Sequence, residues 1–181
     1  MRNKKVTFIT QAGVIAALYV VLTLLANALG LANYAIQVRF SEALTILPFF
    51  TPAAIPGLFV GCFLSNILTG CAPLDVVFGS LATLAGAVGT YLLRKHKWMA
   101  PIPPIVANMI VVPLVLAYVY QFEGSLIFFA ITVGIGEIIS CGVFGMALLS
   151  VLNKYARQIF KTEEGELINA VFGSGTDGRK K

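Results

Sequence analysis

The sequence predicts an all-α integral membrane protein of six transmembrane helices with both termini in the cytoplasm. Three observations carry that expectation. Of the 181 residues, 58% are hydrophobic and 12% are charged, whereas a soluble domain carries about 25% charge. The apolar residues fall in runs that can cross a bilayer, for which about 20 residues are needed. The basic residues gather in three groups: Arg2, Lys4 and Lys5; Arg94, Lys95 and Lys97; and Lys154 with those after it. Arg39 alone stands apart. Lys and Arg beside membrane segments stay in the cytoplasm, so the three groups belong on one side.

The first span follows the basic N-terminus over residues 7–29. Its apolar run is too long for a signal-peptide core and has no clear small-residue cleavage site. Residues 42–70 require more care. As one straight helix they would rise about 43 Å, against a hydrocarbon core of about 30 Å. Pro48, Pro52 and Pro56 interrupt them, and proline breaks or kinks helices. A hairpin fits: a short helix to Phe50, a turn over residues 51–56, and a second helix to Thr69. Parity agrees, because four spans before Arg94 return the second basic group to the side of the first. Spans four to six then cover residues 74–93, 102–120 and 126–152. Residues 1–160 are expected to form one six-helix transmembrane domain. Residues 161–181 are a polar cytoplasmic tail, with Gly173, Gly175 and Gly178. No internal repeat of the inverted kind found in secondary transporters is visible.

Several chemistries have no machinery here. Cys62, Cys71 and Cys141 are an odd set in or beside apolar runs, which argues against a disulfide framework. His96, the single histidine, lies in a basic loop, so no metal site and no catalytic Ser-His-acid set is expected. There is no phosphate-binding G-x-x-x-x-G-K-[ST] loop, and no cofactor is expected. The basic groups suit anionic headgroups, and no basic stripe with interleaved aromatics indicates nucleic acid. The chain is not expected to be an enzyme.

Recognition is what remains. The topology places Glu42, Asp75, Glu123 and Glu137 in the outer half of the membrane or beyond it. Asn27, Asn33, Tyr34, Gln37, Arg39, Asn66, Thr69, Tyr118 and Gln121 join them there. Apolar pockets with a few placed polar groups bind small molecules. Glu137 is the foremost candidate: it lies about 16 Å into span six, where an acid costs about 2.5–3.5 kcal/mol on insertion scales. Gly134 and Gly136 beside it admit close approach. The plainer reading is a protonated Glu bonded to a neighbouring helix. Arg39 and Glu42 share a helix face and either pair or meet a ligand. Asp75, after Pro73, either meets a ligand or favours its helix N-terminus. Glu123 is a solvated loop residue. The small-residue pairs Ala12-x-x-x-Ala16, Gly13-x-x-x-Ala17 and Ala82-x-x-x-Gly86 allow close helix packing, within the bundle or against a partner.

Three segments together resemble the QueT family: Arg39-Phe-Ser-Glu-Ala-Leu-Thr-Ile-Leu-Pro48, Gly57-Leu-Phe-Val-Gly-Cys-Phe-Leu-Ser-Asn66 and Pro73-Leu-Asp-Val-Val-Phe-Gly-Ser-Leu-Ala82. The resemblance covers about residues 7–160. That family comprises substrate-binding S components of energy-coupling-factor transporters, assigned to queuosine precursors. The resemblance implies an S-component-like bundle in the bacterial plasma membrane, a transmembrane coupling subunit and two ATPase subunits as partners, and docking through Ala12 and Ala16. It implies a 7-deazaguanine substrate such as preQ1 or queuine. A guanine-like edge offers two adjacent N–H donors that a carboxylate accepts in parallel, and an aminomethyl cation calls for a second acid. The expected substrate-binding residues are Arg39, Glu42, Asn66, Asp75, Tyr118 and Glu137, with Tyr34, Phe40 and Tyr118 for stacking. An S component for another vitamin-like compound, or an accessory subunit without a ligand, are the alternatives.

Overall fold

The computed structural model describes residues 4–31 and 38–159, the last four of these by backbone alone. Arg2, Asn33, Tyr34, Gln37 and the tail expected over 161–181 lie outside the described residues. Within them every regular element is helical: α1 (Lys4–Ala28), a 3₁₀ helix (Phe40–Phe49), α2 (Ala54–Leu68), α3 (Pro73–Leu92), a short 3₁₀ turn (Lys97–Met99), α4 (Ile102–Tyr118), α5 (Leu126–Glu137), a π-helical segment (Ile138–Phe144) and α6 (Gly145–Ile159). Four stretches are long and apolar enough to cross a membrane: Lys4–Ala28, Pro73–Leu92, Lys97–Tyr118 and Leu126–Tyr155. The chain is an all-α membrane protein. Its outer surface agrees, since Val14, Leu18, Val21 and Leu25 on α1 and Val77, Phe78 and Leu81 on α3 are exposed.

The difficult stretch after Arg39 is a hairpin of two short apolar helices, Phe40–Phe49 and Ala54–Leu68. The prolines explain its shape. Pro48 lies inside the 3₁₀ helix, whose tighter rise of about 2.0 Å per residue lets ten residues reach about 20 Å. Pro56 sits in the first turn of α2, where its missing N–H has no helical partner in any case. Thr51 in the turn between them donates to Gln11 Oε1 at 3.1 Å, which holds the turn at the basic end of α1. The 3₁₀ helix is the most enclosed element, with eight of its ten residues buried. It runs down the middle of the bundle between α1, α3, α6 and the π-helical segment.

Close backbone approaches set the other contacts. A Cβ on Gly57 would stand 2.7 Å from the Ala12 carbonyl oxygen; one on Gly61 would stand 2.7 Å from Tyr19 Cβ and 3.0 Å from the Ala16 oxygen. Those glycines let α1 and α2 lie side by side in parallel. Ala12 and Ala16, expected as a docking face, meet α2 here: Ala16 is 8% exposed and Ala12 is half-buried. Gly13 and Ala17, beside that pair on α1, are exposed. Gly86 and Gly89 of α3 likewise abut Pro104 and Pro103 of α4, so the Ala82–Gly86 pair serves packing within the bundle.

Candidate functional site

At one end of the bundle the helices part around a chamber of about 620 Å³. It is built from the ends of α1, α2 and α4 and the beginnings of α3 and α5. The described basic groups sit at the starts of α1 and α4 and near the end of α6, hence at the opposite end.

The turn between α2 and α3 fixes the chamber's first polar wall. Gly70 takes φ +75°, a left-handed conformation that glycine adopts without strain, and Cys71 N–H closes the helix end on the Asn66 carbonyl at 3.0 Å. The chain then re-enters at Pro73, the first residue of α3. Asn66 and Asp75 thereby line the chamber together, 2% and 9% exposed. Gly79 leaves the space between them: a Cβ there would lie 3.2 Å from Asn66 Nδ2 and 3.3 Å from Asp75 Oδ1. Tyr120, just past the end of α4, donates to Asp75 Oδ2 at 2.9 Å and accepts the Ala72 N–H at 3.0 Å. Arg39, Thr23, Thr132 and the rings of Phe128 and Phe129 complete the lining. Glu123 borders it from an exposed loop.

A second, buried polar layer lies about one turn deeper. Tyr19 is four residues below Thr23 on α1, Asn108 four below Val112 on α4, Glu42 three below Arg39 on the 3₁₀ helix, and Glu137 five below Thr132 on α5. The Tyr19 hydroxyl donates to Glu42 Oε1. Asn108 Nδ2 donates to Glu137 Oε1 at 2.9 Å, and the Cys141 thiol meets Glu137 Oε2 at 3.1 Å. Thr45 Oγ1 donates to the Glu42 carbonyl at 2.6 Å. Glu42 Oε2 is buried without a hydrogen-bond partner. Donor atoms of Glu42, Glu137 and Cys141 all fall within 4.8 Å of one another. They are a set that a cation, an inorganic ion or an ammonium group, would complete.

Two unusual helices create this layer. Long 3₁₀ runs are uncommon, and π-helical turns recur at functional sites. Here the two touch: Arg39 N–H donates to Ser140 Oγ at 3.2 Å, and the Cys141 thiol lies 3.4 Å from the Glu42 carbonyl. The π-helical segment begins at the residue after Glu137, so the change of pitch swings Ser140 and Cys141 towards the 3₁₀ helix.

Of the residues expected from sequence, Arg39, Asn66 and Asp75 line the chamber, while Glu42 and Glu137 meet below it. Tyr118 is placed elsewhere: it is 71% exposed and absent from the lining, because α4 turns it outward and brings Tyr120 in. Tyr19, Asn108, Tyr120, Thr132 and Cys141 were missed. A phenol and an amide in the middle of otherwise apolar spans are themselves a signal, since buried polar groups need partners. Thr132 and Cys141 carry no such signal.

A family model described as the QueT transporter matches residues 9–154. A queuosine precursor transporter QueT of Lactococcus lactis subsp. cremoris (strain MG1363) is 36% identical over 98 residues, 54% of this chain and 57% of that protein. The match thus spans a little over half of that relative's length. No solved structure matches the chain.

Proposed function

The chain belongs to the QueT transporter family, and from that membership we propose that it is the substrate-binding S component of an energy-coupling-factor transporter. In this reading it captures a queuosine precursor, a 7-deazaguanine, from outside the cell. One observation carries the proposal: the polar chamber opens at the end of the bundle remote from the basic groups. With those groups cytoplasmic, the chamber faces the outside and can load without help from inside. Its volume lies within the range of about 300–1,000 Å³ usual for small-molecule sites, and its wall mixes apolar surface with Arg39, Asn66, Asp75 and Tyr120.

The roles follow from the chemistry. Asp75 accepts the adjacent N–H donors of a guanine-like edge, with Tyr120 orienting it, and Asn66 meets an exocyclic group. Phe128 and Phe129 offer apolar faces to the ring. Glu42 and Glu137 form the floor. Six spans with cytoplasmic termini belong to the same proposal, the hairpin supplying spans two and three. So does residence in the bacterial plasma membrane. A transmembrane coupling subunit and two ATPase subunits supply the energy, and we place their contact on the exposed α1 face at Gly13 and Ala17. Thermal unfolding of the purified chain with and without a 7-deazaguanine tests the reading. A ligand at 100 times its Kd that binds only the folded state adds about 2.7 kcal/mol; an unchanged melting curve at saturating base refutes it.

A further inference from the structure

We propose that the Glu42–Glu137 pair is a cation subsite that receives a primary ammonium group carried by the base. The protein then selects amine-bearing 7-deazaguanines over neutral ones. This rests on the reading of the chamber as a 7-deazaguanine site.

The argument starts from which oxygens are taken. A guanine-like edge needs both oxygens of one carboxylate, side by side. Neither deep acid lines the chamber wall, as Asp75 does. Glu42 Oε1 is held by Tyr19, Glu137 Oε1 by Asn108, and Glu137 Oε2 by Cys141. Of these four oxygens Glu42 Oε2 alone accepts no hydrogen bond, and the other three each keep room for a second donor. Every donor already in place is a neutral amide, phenol or thiol. Two carboxylates in a buried site call for positive charge; Arg39, lining the chamber one turn above, supplies part of it through space. An ammonium has three donors and no acceptor. It satisfies the vacant oxygen and shares the second carboxylate, which the amide and thiol of this layer cannot do.

The layering makes this reachable. Thr23, Arg39, Val112 and Thr132 line the chamber, and the acid layer begins about one turn, or roughly 5 Å, beneath them. A ring resting between Asp75 and the chamber floor points an aminomethyl arm downward.

The test compares two bases that differ at one substituent, 7-aminomethyl-7-deazaguanine and 7-cyano-7-deazaguanine, by calorimetry on the purified full chain. The amine-bearing base is expected to bind at least about tenfold more tightly, a difference of about 1.4 kcal/mol. Glu137→Gln and, independently, Glu42→Gln are expected to bring that ratio towards one, each checked for folding by its melting curve. The parent ratio is informative even if both variants fold poorly. A parent ratio near one overturns the inference: sodium- or potassium-dependent binding of both bases then assigns the pair to an inorganic cation, and binding indifferent to those ions makes it structural. A tenfold ratio that survives both substitutions places the amine elsewhere and also overturns it. If a folded chain binds neither base, the proposed function itself falls, and this inference with it.

Discussion

Tyr120 and Asp75 join α4 to α3 at the chamber end of the bundle: the phenol donates to Asp75 Oδ2 at 2.9 Å from two residues beyond the end of α4. The Tyr120 hydroxyl oxygen accepts the Ala72 N–H, so one side chain ties the α2–α3 turn to α4. Burial pushes the phenol up to about 12 from an ordinary value of 10.0, and the Asp75 carboxylate adds to the rise. Because the folded value is the higher one, the contribution is complete below pH 10 and is withdrawn between pH 10 and about 12. Tyr120→Phe is expected to cost about 1 kcal/mol. The gap in melting temperature between parent and variant should stay constant from pH 6 to 9 and close above pH 10. A gap that changes across the lower range speaks against this bond.

Gly79 separates Asn66 and Asp75, the two chamber residues proposed to meet the base. Its added Cβ would press on Asn66 Nδ2 and Asp75 Oδ1, both side-chain ends, so the fold can give while the site cannot. Gly79→Ala is expected to weaken base binding about tenfold, or about 1.4 kcal/mol, with a smaller fractional effect on melting. Equal binding by the variant and the parent would place the base away from α3.

Packing and docking on α1 separate cleanly. At Gly61 a Cβ meets the backbone of Ala16 and Tyr19 Cβ, which cannot move without moving α1. Gly61→Val is therefore expected to destabilise by about 1–3 kcal/mol and to lower base affinity by displacing Tyr19 from Glu42. Ala17→Leu, on the exposed face, should leave melting and base binding unchanged while abolishing co-purification with the coupling subunit. Normal co-purification by Ala17→Leu shows that the docking face lies elsewhere.

The coarse architecture was legible because it rests on long-range patterns: runs of apolar residues, three basic groups, and prolines that forbid a straight helix over residues 42–70. The acids at 42, 75 and 137 were legible for the same reason, being costly in apolar surroundings. What was hidden depends on helical pitch. The expectation that Glu42 and Glu137 line one pocket with Asp75 presumed ordinary α-helices. The 3₁₀ helix and the π-helical segment turn the two carboxylates towards each other instead, and no local residue pattern announces either pitch. Tyr118 and Tyr120 show the same limit on a smaller scale, since ending α4 at Tyr118 decides which phenol enters the chamber. Ala12 and Ala16 were ambiguous in principle: a small-residue ridge suits any close helix, and only Gly57 and Gly61 opposite show which helix takes it.

The orientation of the chamber has its own check. In a background with the native cysteines replaced, Lys97→Cys and Lys154→Cys should react with a membrane-impermeant thiol reagent only after permeabilisation. Gly124→Cys should react in intact cells. The expectation follows from the basic groups at one end of the bundle. Labelling of position 97 from outside would turn the chamber to the cytoplasm.

The central claim is that the chain, alone and without ATP, binds a 7-deazaguanine in the chamber bounded by Asn66 and Asp75. Calorimetric titration of the purified chain, beside an Asp75→Asn variant, measures this directly. The parent should bind one base per chain. The variant should melt normally and bind at least thirtyfold more weakly, about 2 kcal/mol, as expected for a lost charge-assisted hydrogen bond. Binding of the same stoichiometry and affinity by the variant, or no binding by a folded parent, would contradict the account.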